Sequence, residues 1–141
     1  MFKKIFNKQK KESLDNKNVL VAALLIHAAR IDENYTDIEK EIIKKALVEL
    51  NNISSDQAKN LIKFAEKKEE ESNQIVEFTR EIKKYPIKFR LKIIEVIWKI
   101  VYSDGTSDDY ESNLIRRICG LLYISGKDNG IIKTKVQNLS K

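Results

Sequence analysis

Residues 19–31 read VLVAALLIHAARI, residues 32–35 read DENY, and residues 36–50 read TDIEKEIIKKALVEL. The first stretch is apolar nearly all round, the pattern of a helix at the centre of a bundle. The last opens on Thr36-Asp37-Ile38-Glu39, a capping box in which Thr caps the helix and Glu three residues on reaches back to the cap. Behind that box Ile38, Ile42, Ala46 and Leu50 fall on one stripe. A buried helix, a short acidic turn and a capped amphipathic helix predict an all-α fold.

The rest of the chain extends the same grammar. Asn51-Asn52 is a loop, and Ser54 or Ser55 caps a third helix reaching about residue 68. The charged residues 67–71 lead into a fourth helix over about 73–84, which carries Ile75, Val76, Phe78 and Ile82. Tyr85-Pro86 breaks it, and Pro86 suits the first turn of a fifth helix. Residues 87–102, IKFRLKIIEVIWKIVY, are again apolar on most sides. After a turn at Asp104-Gly105-Thr106-Ser107, a sixth helix covers 108–122, Ser125-Gly126 closes it, and a last short helix covers about 129–139. No alternating strand pattern competes, so a bundle of six to seven helices is expected.

Composition agrees. The chain has 141 residues, enough for one domain with a real core. Four Gly and one Pro leave few tight turns, which argues against a many-stranded sandwich or barrel. A single Cys, Cys119, excludes an internal disulfide, fits a reducing compartment and leaves no Cys/His set for zinc. Neither a Gly-rich phosphate loop nor a nucleophile elbow is present.

The net charge of +6 is unevenly placed. Residues 1–17 hold six Lys against Glu12 and Asp15, residues 126–141 hold four Lys against Asp128, and residues 18–125 sum to −1. The body is therefore a poor nucleic-acid groove, and the charge belongs to its ends. In the basic N-terminal segment, 1–17, Phe2, Ile5 and Phe6 share one helical face with Lys3, Lys4 and Lys8 beside or opposite it. That is either a short basic amphipathic helix for an anionic membrane surface or a solvated terminus. Acids at 12 and 15 argue against a signal peptide, and the longest apolar run, residues 19–26, is too short to span a bilayer. The expected location is cytoplasmic, peripheral at the inner membrane face where the segment meets lipid.

Two stretches repeat at an offset of 72 residues. Residues 32–39, DENYTDIE, align with residues 104–111, DGTSDDYE, and Ile42-Ile43-Lys44-Lys45 aligns with Leu114-Ile115-Arg116-Arg117. Each turn runs from Asp at the end of a buried helix to Glu in the first turn of the next, which predicts two pseudo-symmetric helix–turn–helix halves. Asp32, Glu39, Asp104 and Glu111, with Asp108, then offer oxygen ligands for a hard cation, Ca²⁺ or Mg²⁺. Capping accounts for the two Glu equally well. It does not account for Asp32 and Asp104, which sit at helix C-termini where the dipole disfavours them. EF-hand spacing is absent.

At this level of detail the chain resembles the TerB-like family (tellurite-resistance TerB and DjlA-like proteins) over residues 19–137. Ala22-Ala23-Leu24-Leu25-Ile26, Ala29-Arg30-Ile31-Asp32 and Glu39 look like the family's first half. Its second half resembles Phe78-Thr79-Arg80, Arg90, Trp98, Tyr102-Ser103-Asp104-Gly105, Tyr110-Glu111 and Leu114-Ile115-Arg116-Arg117, followed by residues 121–125 and Lys135. Glu33 stands where Gly is usual and His27 where an acid is common. The resemblance implies a single helical domain, 18–141, with two related halves and a cation site of Asp32, Glu39, Asp104 and Glu111. It also implies an interaction module of membrane-associated stress or metal-response systems, whose partners are other proteins of such a complex, and no enzymatic reaction. The expected function is a non-catalytic divalent-cation-binding module; the alternatives are a metal-dependent hydrolase using the same acids and a basic-tailed nucleic-acid-binding protein.

Six other residues have ordinary readings. His27 is expected to be buried and hydrogen-bonded, Trp98 and Tyr102 to be core, and Cys119 to pack as a small apolar residue. Arg116-Arg117 is read as a solvated face or a partner for Glu111 or Glu95.

Overall fold

The two most apolar helices organise everything else. The computed structural model describes residues 17–31, 35–72, 74–104 and 109–139, apart from the side chains of Asp104, Asp109 and Tyr110. Helix α1 covers residues 17–30, and its side chains from Leu20 to Ile26, with Ala28 and Ala29, are all buried. Helix α5, Ile87–Val101, buries every side chain from Ile93 to Trp98 together with Ile100 and Val101. Each such Leu or Ile removed from water contributes about 1.5–3 kcal/mol, so these two helices supply much of the driving force for the fold.

The remaining helices are amphipathic and lay one face on that centre. They are α2 (Asp37–Asn51), α3 (Ser55–Glu71), α4 (Val76–Ile82), α6 (Asp109–Leu121) and α7 (Gly126–Leu139), with a 3₁₀ turn at Tyr102–Asp104. No strand occurs among the described residues, so the fold is all-α as expected. α2 packs on α3 and α5, while α7 packs on α5 and α6.

Local chemistry sets the helix ends. Thr36 and Glu39 form the capping box of α2, and Ser54 and Gln57 form one for α3. α3 runs three residues beyond the expected end, and α4 is shorter than expected at both ends. Pro86 is the N-cap of α5 rather than part of its first turn. Arg90 then fastens this corner, donating from Nε to the Tyr85 carbonyl at 2.9 Å and from Nη1 to the Leu122 carbonyl at 2.6 Å. One guanidinium thus ties the α4–α5 turn to the end of α6.

That end of α6 is a Schellman motif. The Ile124 N–H donates to the Cys119 carbonyl at 2.9 Å and the Tyr123 N–H to the Gly120 carbonyl at 3.4 Å. Tyr123 takes the left-handed conformation, φ 57°, that glycine normally supplies. Gly126 does not close α6; it begins α7, and the Ser125 hydroxyl caps that helix by accepting from the Asp128 N–H at 3.1 Å.

The 72-residue repeat extends into the packing. Leu25 and Ile97, Ile26 and Trp98, Ala29 and Val101, Ile43 and Ile115, Ala46 and Ile118 are pairs at that offset, and every member is buried. The two halves share one core register.

Candidate cation site at the two helix turns

Glu39 sits at the third position of α2 because the capping box holds it there. Its Oε1 accepts from the Thr36 N–H at 2.9 Å while the Thr36 hydroxyl accepts from the Glu39 N–H at 3.1 Å. Yet Glu39 is only 6 % exposed, which capping does not require. The box of α3 makes the comparison: Ser54 and Gln57 form the same two hydrogen bonds on an exposed helix end with an uncharged side chain. Burying a carboxylate is costly unless something compensates it.

Glu111 repeats the situation one half later. It lies in the first turn of α6, offset by 72 from Glu39, and is 9 % exposed. Asp104 ends the 3₁₀ turn that follows α5, though its side chain is not described. Asp32 and Asp108, and the amphipathic segment of Phe2, Lys3, Lys4, Ile5, Phe6 and Lys8, lie outside the described residues. Two of the five candidate ligands are thus placed, both buried, at corresponding positions. Among the described residues no three His, Cys, Asp or Glu side chains are grouped closely enough to hold a metal ion.

A charged network flanks the first turn. Arg30, at the end of α1, pairs with Glu69 at 2.5 Å and with Glu66 and Glu70 at 3.5 Å, all on α3. His27 joins it through Nδ1 to Glu69 Oε1 at 3.2 Å, so it is hydrogen-bonded as expected, but about a third of its side chain remains exposed. Tyr35 completes the corner, with the Arg30 guanidinium 5.1 Å and the Lys40 ammonium 4.8 Å from its ring centroid. Its hydroxyl is buried, and that burial, reinforced by the charges of Glu66, Glu39 and Glu69, pushes its pKa well above the ordinary phenol value despite the opposing pull of Arg30. This network was not anticipated from sequence. Its only signal there is the spacing of Glu66, Glu69 and Glu70, which puts three acids on one helical face.

The other singled-out residues are structural. Trp98 and Tyr102 are buried and stacked, centroids 5.7 Å apart, and the indole N–H donates to Asn129 at 2.9 Å. Cys119 is buried, and desolvation pushes its thiol up to about 12, which makes it a poor nucleophile. Arg116 and Arg117 lie on an exposed face of α6, and Glu95 pairs instead with Lys92 at 3.0 Å and Lys135 at 2.7 Å. No helix among the described residues is long and apolar enough to cross a membrane.

Comparison with known proteins rests on the family level. No curated protein and no solved structure gives a significant match to the chain. The model of the family described as tellurite resistance protein TerB, however, matches residues 18–134, taking in both helix–turn–helix halves and both buried glutamates. With an all-α fold and nearly its whole length covered, this chain belongs to the TerB family.

Proposed function

We propose that this chain is a non-catalytic interaction module that takes a hard divalent cation, Ca²⁺ or Mg²⁺, on the acids of its two turns and works among the proteins of a stress or metal-response system. The ligands are Asp32, Glu39, Asp104, Asp108 and Glu111. The supporting observation is the paired burial of Glu39 and Glu111 at the same register of the two halves. A capping role alone is met by an exposed, uncharged residue, as Gln57 shows, so the matched burial of two carboxylates at the two helix starts is more than capping requires, and acids at both turns suit a cation. Carboxylate oxygens at a helix–helix corner suit a hard ion rather than a soft one. The ion would supply charge neutralisation and tie turn to turn. The basic first segment suits an anionic inner-membrane surface, where the module would be held peripherally.

Calorimetric titration with Ca²⁺ and with Mg²⁺ tests the cation. One saturable site is expected, abolished by Asp104→Asn with Glu111→Gln and retained in Thr36→Ala, which removes the cap but no ligand. Absence of heat with both ions, or binding unchanged in the double variant, ends the proposal.

A further inference from the structure

Two shallow depressions border the outward stripe of α5, where α2 and α7 pack against that helix. The one on the α7 side, of about 380 Å³, is lined by Leu91, Ile131 and Ile132 among its apolar residues. The one on the α2 side, of about 170 Å³, has Ile42, Leu50 and Val96. Lys92 lines both, so the two are neighbours along one helix and together make a shallow channel. Lys45, Lys88, Lys92, Lys99 and Lys135 rim the channel against Glu49, Glu95 and Asp128, and Glu95 is already matched by Lys92 and Lys135. The surplus charge is positive and the floor is apolar. Ile131, which lines the larger depression, stays 58 % exposed.

We infer that this channel docks an acidic amphipathic helix from a partner protein. Shape and charge select that occupant. From Lys88 to Lys99 the stripe runs about 17 Å, some three helical turns, and a helix about 10 Å across seats over α5 between two flanking helices. Apolar anchors spaced i, i+3, i+4 and i+7 reach the floor, while acids on the flanks meet the lysines. The chain's own N-terminal segment is excluded by charge, since residues 1–17 carry net +4. Of the turn acids whose side chains are described, neither Glu39 nor Glu111 lines the channel, and the peptide test below uses no divalent cation, so the two readings are tested separately.

The test is fluorescence anisotropy of the full chain with a labelled synthetic helix of about 15 residues, a length near the minimum for helicity, with Leu at the anchor spacing and Glu elsewhere. Its control is the same peptide with Lys in place of Glu. Saturable binding of the Glu peptide is expected, weakening with added salt. It should fall about tenfold or more when the exposed Lys45, Lys88 and Lys99 are changed together to Glu, a loss of about 1.4 kcal/mol or more. Ile131→Ser, at an exposed site that leaves the core intact, should weaken it several-fold, and Arg116→Glu with Arg117→Glu should leave it unchanged. The inference is overturned by no Glu-peptide binding, by equal binding of the Lys peptide, or by indifference to the triple change. It is equally overturned if phosphatidylglycerol vesicles, and not the peptide, bind through these lysines.

Discussion

The two halves of this molecule bury the same positions and spend their outer positions differently. Ile26 and Trp98 occupy one register of the core, as do Ala29 and Val101, and each half opens its second helix on a buried glutamate. One residue later in the helix than Ile26, His27 joins an ion network, whereas its counterpart Lys99 is exposed on the channel. Arg30 binds three acids of α3, whereas its counterpart Tyr102 is buried against Trp98. A repeated core with divergent flanks means that the fold depends on the inward register, while the outward residues were free to serve other contacts.

The largest effect should come from cutting both halves at the shared register. Trp98→Ala removes a fully buried ring together with its stack on Tyr102 and its hydrogen bond to Asn129, and should cost about 3–5 kcal/mol. Ile26→Ala, at the matching position, should cost about 2–5 kcal/mol. Urea denaturation followed by circular dichroism measures both. A cost under about 1 kcal/mol for either would show that the two core registers are not equivalent.

Next come the ion pairs that fasten each half's first helix to its third. In the first half the cation is on α1 and the acids are on α3; in the second the acid, Glu95, is on α5 and a cation, Lys135, is on α7. Glu69→Gln and Glu95→Gln should each cost about 1–3 kcal/mol at neutral pH, because both carboxylates are largely buried and accept charge-assisted hydrogen bonds. For Glu95 the pH dependence has a definite sign. Burial alone would raise its pKa, but the hydrogen bonds from Lys135 and Lys92 outweigh it and hold the carboxyl below its ordinary value of 4.5. A carboxylate that ionises more easily folded than unfolded stabilises the protein above the unfolded value and loses that contribution as pH falls through the folded one. The stability gap between wild type and Glu95→Gln should therefore be full at pH 7 and close progressively below about pH 4.5. A gap that widens in acid would contradict the pairing.

The same contrast explains what was legible beforehand. The helices, their order, the central burial of residues 19–31 and the repeat are local or periodic signals, and the structure reproduces them. Periodicity ends the third helix near residue 68, within the charged stretch 67–71, because nothing local rewards so many charges in a row. The helix goes on through residues 69–71, where Glu69 and Glu70 reach across to Arg30 on α1, a tertiary contact that periodicity does not encode. Ser125-Gly126 looks like the close of α6 because glycine commonly ends a helix. The left-handed residue is instead Tyr123, which leaves Gly126 to start α7. Of the candidate site, Glu39 was legible through the capping box. Its burial was not, since burial depends on what the turn folds against.

The smallest effect concerns how each half stops its second helix, and it separates the halves by sign and size. Asn52 ends α2 at φ 53°, and Tyr123 follows α6 at φ 57°, so both turns use the left-handed region without a glycine. Asn tolerates that region through local hydrogen bonding of its short amide, whereas a tyrosine there pays the Cβ clash, about 1–2 kcal/mol. Tyr123 is 68 % exposed, so its ring recovers little by burial, and the Lys83 ammonium 5.7 Å from the ring centroid returns about 0.5 kcal/mol at an exposed site. Glycine, in turn, loses more backbone freedom on folding. Tyr123→Gly should therefore stabilise the protein by a few tenths to about 1 kcal/mol, with Asn52→Gly close to zero. Paired thermal melts resolve a difference of that size. A destabilised Tyr123→Gly would mean that the ring makes a compensating contact worth more than the strain it carries, and the symmetry between the two helix ends would then stop at the backbone.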